Sequence, residues 1–201
     1  MFAVVVLGYL EEIASGVLGD ETLARRAGLL RGEINAALRR HAIVNHPDFG
    51  AVYAYEVDGF GNYLLMDDAN VPSLLSLPYL GYCPMDDPVY RNTRRLILSD
   101  QNPFFYQGSV ASGIGSPHTP PDYIWHIALA MQGLTSPDPA ERRSMLDLLA
   151  ATDAGAGYMH EGFHKDDPAQ FTRPWFAWAN AMLSELILLE CGMTVPGSPL
   201  A

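Results

Sequence analysis

A chain of 201 residues that is 49% hydrophobic and 17% charged can form one domain with its own core and is too apolar for a disordered segment. Lys and Arg number 12 against 23 Asp and Glu, a net charge of −11. That balance lacks the basic patch that nucleic acid or an anionic membrane surface requires.

The first ten residues, Met1-Phe-Ala-Val-Val-Val-Leu-Gly-Tyr-Leu10, have no basic start and run straight into Glu11-Glu12, unlike a secretory signal. With no export signal visible, the expected compartment is the cytoplasm. The stretch instead opens a helix over 2–15 that is apolar almost all round, the pattern of burial on most sides. Such a helix at the start of a chain implies upstream elements or an unusually bare helix end. Asp20 can cap a second helix, in which Leu23, Ala27, Leu30, Ile34 and Leu38 recur at helical spacing until Pro47 and Gly50. Residues 51–58 alternate and are rich in β-branched and aromatic residues, so they read as a strand. Gly59-Phe-Gly-Asn62 is a turn, after which a short partner strand can follow. Helices are expected at 71–80, 87–99, 122–134, 138–152 and 174–191, the last opening with Pro174. The loop from Asn102 to Pro121 is long and rich in Gly and Pro, a length usually tied to function or disorder. No apolar run reaches the roughly 18 residues of a membrane span. Two cysteines, Cys83 and Cys191, are too few for a disulfide framework or a cysteine zinc site and read as buried free thiols. The expectation is a single all-α domain over 1–201, a bundle or an α/α barrel, with one or two short strands in loops.

Polar and aromatic residues crowd three loops. Asp67, Asp68 and Asn70 stand between Leu64-Leu65 and Leu74; helix capping explains one of these polar groups, not three. Gly113-Ile-Gly-Ser-Pro117-His118 leads to Tyr123 and Trp125, without the Lys or preceding strand of a phosphate loop. His118 or Trp125 taken singly also fits a structural loop or a core aromatic. The third loop runs from Asp153 to Asp167 and is followed by Arg173, Trp175 and Trp178. Inside it His160-Glu161-Gly162-Phe163-His164 spells the zinc-peptidase motif HExxH. That motif needs a helix presenting both histidines on one face. Gly155, Gly157 and Gly162, with Asp166-Asp167-Pro168 directly after, oppose such a helix, so no bound metal or other cofactor is expected. The zinc peptidase stays as the lesser alternative. Carbohydrate chemistry fits the composition: a carboxylate acid and base, further groups for hydroxyls, and aromatic faces for the ring.

Five segments carry a family resemblance: Tyr55-Glu-Val-Asp-Gly-Phe-Gly61, Leu65-Met-Asp-Asp-Ala-Asn-Val-Pro-Ser-Leu74, Asp87-Pro-Val-Tyr-Arg-Asn-Thr-Arg94, Met159-His-Glu161 and Phe171-Thr-Arg-Pro-Trp-Phe-Ala-Trp178. Together they resemble glycoside hydrolase family 125, over nearly the whole chain. The resemblance implies metal-independent, inverting exo-hydrolysis of α-1,6-linked mannose on an (α/α)6 barrel, with an α-mannoside oligosaccharide as partner. It makes Glu161 the general base and places Asp67, Asp68, Asn70, His118, Trp125, His160 and Arg173 in pocket-lining motifs. Gly162 and His126 depart from the family pattern, which has Ser and Pro there. The family's general acid lies in an Arg-Pro-Ser-Asp-Asp-like segment, and that segment does not occur in these 201 residues. The chain therefore resembles the C-terminal part of such an enzyme, expected to be weakly active or inactive alone. The alternative is a remnant that binds sugar without catalysis.

Overall fold

The computed structural model describes residues 1–195 and 197–200. Its helices are α1 (Phe2–Ile13), α2 (Glu21–His41), α3 (Pro88–Ile97), α4 (His126–Leu134), α5 (Pro139–Ala151) and α6 (Ala177–Glu190). A π-helical turn, Ala14–Leu18, extends α1 and stops at Gly19 in the left-handed conformation, which glycine enters without steric cost. The strands are short: β1 (Ile43–His46), β2 (Gly50–Tyr53), β3 (Glu56–Val57), β4 (Tyr63–Leu64), β5 (Phe105–Gln107), β6 (Ser112–Ile114), β7 (Tyr123–Trp125), β8 (Gly162–His164) and β9 (Asp167–Thr172). They form three antiparallel pairs, β1–β2, β3–β4 and β5–β6, and one three-stranded sheet in the order β7–β8–β9.

Side-chain caps start three of the helices. Asp20 accepts from Leu23 N at 2.9 Å, Asp87 from Tyr90 N at 2.8 Å, and Asp138 from Ala140 N at 2.9 Å. Pro88 and Pro139 occupy first-turn positions whose N–H has no intrahelical partner, where proline fits. The core gathers around α4, which is buried along its length apart from half-buried Gln132. Its apolar run leaves no solvent face, so it packs between α5 and α6. A Cβ on Gly133 would lie 2.9 Å from Leu186 of α6, so glycine sets that close approach.

Several sequence expectations are corrected. The fold is mostly helical, but among the described residues nine short strands replace the one or two expected. Residues 71–80 form successive turns instead of a helix. Ser73 N donates to Ser76 Oγ at 2.8 Å, and Leu74 N and Leu75 N donate to Asp67 at 2.8 and 2.9 Å. These side-chain acceptors take the amides a helix would have used. The expected helix at 122–134 begins only at His126, because residues 123–125 pair with β8. The expected strand 51–58 breaks at Ala54-Tyr55 into β2 and β3. The final helix starts at Ala177 rather than Pro174: Arg173 is left-handed (φ 43°), and Phe176 N donates to Met159 O at 3.0 Å. Of the first helix only Val4 and Gly8 are buried where it packs on α2, while Phe2, Val6, Tyr9 and Ile13 are exposed. It is covered along one stripe and not on most sides. Cys83 is half-buried and Cys191 exposed, so neither is a fully buried thiol.

Candidate active site

The candidate site is assembled by backbone pairing between segments far apart in sequence. Trp125 in β7 pairs with Gly162 in β8, and Gly162 pairs with Thr172 in β9. On the other side Gly115 bridges Ile124, and its carbonyl accepts from Ala69 N at 3.1 Å. Each pairing step spans roughly 5 Å, so Ala69, Gly115, Ile124–Trp125, Gly162 and Thr172 form one row. Gly115 has no room for a side chain: a Cβ there would lie 2.1 Å from the Tyr123 carbonyl oxygen. The residues singled out in the sequence stand in this row or beside it. Asp68 and Asn70 flank Ala69, Trp125 is a member, Glu161 precedes Gly162, and Arg173 follows Thr172.

Glu161 is 8% exposed, and its Oε1 forms an ion pair with Arg173, 3.2 Å from Nε. Its backbone N–H donates to Thr172 O at 3.3 Å, which fixes the two segments against each other. The Arg173 side chain is 64% exposed, and its guanidinium carbon lies 5.5 Å from the centre of the Phe176 ring. A left-handed non-glycine residue costs roughly 1 kcal/mol or more, so packing around the turn must hold Arg173 in place. Trp125 is 3% exposed, donates Nε1–H to Thr119 Oγ1 at 2.9 Å, and meets Phe176 edge-on at 6.2 Å. A Cβ on Gly162 would lie 3.0 Å from Trp125 Cδ1; the missing side chain lets the indole close onto the strand. Asp68 is 7% exposed, and its Oδ1 accepts from the backbone and side-chain amides of Asn70 at 3.1 and 2.9 Å. His118 is exposed, on a loop where its N–H donates to Ser116 Oγ at 3.3 Å; Thr119 ties that loop to Trp125.

Two of the named residues face inward. Asp67 is fully buried, and its two oxygens accept from Leu74 N and Leu75 N. Burial pushes its carboxyl up to about 7, against the pull of the Leu74, Leu75 and Asp68 amides. His160 is also fully buried, with Nδ1 2.8 Å from Pro174 O and Nε2 3.1 Å from Asp153 O. Its ring stacks on Phe171 with centroids 3.9 Å apart. Both side chains are enclosed, with their polar atoms facing backbone partners. His126, which the sequence marked only as a departure from the family pattern, is a buried polar residue opening an otherwise apolar helix.

The HExxH helix is not formed. His160 is in irregular backbone, Glu161 lies at a bend, and Gly162–His164 are strand β8. Both His160 nitrogens face carbonyls, and His164 Nδ1 accepts from Asp166 N at 3.2 Å. Among the described residues no three His, Cys, Asp or Glu side chains gather into a metal-binding group, and no helix is long and apolar enough to cross a membrane. A cleft of about 690 Å³ lies elsewhere, between α1, α2 and residues 81–89, with Arg31, Asn35, Arg39 and Asp87 in its lining. No residue of the row lines it, so cleft size and candidate chemistry do not coincide.

Arg173→Gly tests the left-handed turn. Glycine takes the left-handed conformation freely, and the lost ion pair is too exposed to contribute much stability. The expected result is an unchanged or slightly higher melting temperature, read by thermal melt.

Comparison with known proteins follows the same geometry. The Meiotically up-regulated gene 157 protein of Schizosaccharomyces pombe is 50% identical over 186 residues, covering 92% of this chain and 36% of that protein. A solved structure from Streptococcus pneumoniae, a metal-independent alpha mannosidase in a non-productive substrate complex with alpha-1,6-mannobiose, matches at TM-score 0.92 and 51% identity. That match covers 94% of this chain and 45% of the solved one. The chain thus spans less than half the length of these relatives. The family model described as metal-independent alpha-mannosidase, GH125, matches residues 1–188, and the chain belongs to that family.

Proposed function

We propose that this chain supplies the base-bearing part of an inverting exo-α-1,6-mannosidase, built on part of an (α/α)6 barrel. The observation that supports it most is the Glu161 carboxylate: mostly buried, reached by solvent at one edge, with one oxygen held by Arg173. In this reading Glu161 takes a proton from a water as the water oxygen bonds to the anomeric carbon. The bond to the leaving oxygen breaks on the opposite face, and that oxygen receives a proton from a general acid. An inverting pair of carboxyls stands roughly 6.5–9.5 Å apart to admit the water. The family resemblance assigns the acid to a segment outside these 201 residues. Asp68, Asn70, His118 and Arg173 are the proposed hydroxyl contacts, and Trp125 is the proposed wall of the pocket.

The test is hydrolysis by this chain of α-1,6-mannobiose and of an aryl α-mannoside, with the anomer of the first-formed mannose read by proton NMR. The aryl substrate leaves without much help from an acid, so it is expected to be cleaved faster, and the first product is β-mannose. α-Mannose as first product contradicts the inverting mechanism. Robust mannobiose turnover by the chain alone contradicts the placement of the acid. A non-catalytic sugar-binding remnant binds mannobiose and cleaves neither substrate.

A further inference from the structure

Behind Glu161 lies a buried line of hydrogen bonds that begins at the residue before it. His160 N–H donates to His126 Nδ1 at 2.9 Å. Nδ1 therefore carries no proton, and the ring proton sits on Nε2. Nε2 donates to Thr152 Oγ1 at 3.0 Å, and the Thr152 hydroxyl donates to Leu148 O at 2.8 Å. Nδ1 also lies 3.1 Å from His160 O, a second acceptor that this tautomer leaves without a proton from the ring; the shorter contact, from the N–H, sets the assignment. His126 is fully buried and stacks on Phe163 at 4.8 Å. Burial lowers its imidazole to about 4, so it is a neutral acceptor through the neutral range. The titratable groups facing it are the His160 ring, 5.5 Å away by centroids, and Asp153 at the end of α5. The His160 ring continues the line to Pro174 O, directly after Arg173. The backbone before Glu161 is thus bolted to the start of α4 and to the turn that presents Arg173.

We propose that His126 is a positioning residue for Glu161: by accepting the His160 amide at Nδ1 it fixes the strand segment carrying the carboxylate and, through the His160 ring, the Arg173 turn beside it. The functional part of this rests on the reading of Glu161 as the general base.

Two variants of the 201-residue chain separate the ring's two bonds. In His126→Asn the side-chain oxygen replaces Nδ1 as acceptor; in His126→Gln the amide group reaches Thr152 and the acceptor for His160 is lost. The measurements are hydrogen exchange at the His160 amide, imidazole nitrogen NMR and titration with α-1,6-mannobiose. The expected parent spectrum is a single Nε2–H tautomer for His126 at neutral pH. Exchange at His160 is expected to rise about tenfold or more in His126→Gln and to stay within about threefold of the parent in His126→Asn. Mannobiose affinity is expected to follow the same order, about tenfold weaker in His126→Gln. A proton on Nδ1 in the parent overturns the proposal. So does a His126→Gln chain that matches the parent in both readouts, or a His126→Asn chain as impaired as His126→Gln. Absence of mannobiose binding in the parent, with the exchange order intact, overturns the sugar reading and leaves the positioning of residue 161 standing.

Discussion

Glu161→Gln is expected to slow hydrolysis of an aryl α-mannoside by roughly 10²–10⁴-fold, the contribution of one general base. The amide keeps the size of the side chain and an oxygen for Arg173 Nε, but it cannot take the proton from water. Because the Arg173 side chain is largely exposed, loss of the ion pair costs at most about 1 kcal/mol. The melting temperature should therefore move by no more than about 4 °C, and mannobiose should still bind. Retention of the parental rate would remove Glu161 from the role of base.

The largest expected effect on stability comes from Asp67. Asp67→Ala leaves the Leu74 and Leu75 amides without their buried acceptor, and each orphaned donor costs about 1–3 kcal/mol. The expected loss is roughly 3 kcal/mol, or about 10 °C in melting temperature, with residues 71–80 losing hydrogen-exchange protection first. The group also sets a pH dependence. Its carboxyl is raised in the fold from the ordinary 3.8 to about 7, so between those values the folded chain binds more protons than the unfolded one. Stability from this group is full below the ordinary value and declines as pH rises through about 7. His126 acts in the opposite sense: lowered from 6.5 to about 4, it contributes stability above 6.5 that is lost as pH falls toward 4. Asp67→Asn should abolish the first slope and leave the second. A chain with Asp67→Asn that keeps the full pH profile of the parent would show that Asp67 does not titrate in this range.

The parts legible in the sequence are those set by local chemistry. Asp20 marked the start of α2, because capping acts within a few residues of the helix start. The 71–80 segment escaped because its amides are claimed by Asp67 and Ser76, whose capture of backbone a periodic pattern does not display. Strands of two or three residues, such as β7 and β8, take their form from partners far along the chain, so they have no period of their own to read. The candidate site shows the same division. Glu161, Arg173, Asp68, Asn70 and Trp125 were marked by motif; Trp125 stands in the paired row and the other four adjoin its members. Asp67 and His160 were marked by the same motifs and turned inward, since a polar residue flanked by apolar neighbours looks alike whether it meets a ligand or a backbone amide. His126 was visible only as a departure from a family pattern.

The most direct test of the central claim is titration of the isotope-labelled chain with α-1,6-mannobiose, followed by NMR at each backbone amide and at the Trp125 indole. The account predicts saturable shifts concentrated at Asp68, Asn70, Trp125, Glu161 and Arg173, with the cleft between α1 and α2 unaffected. Shifts concentrated in that cleft, or no saturable shift along the row, would contradict it.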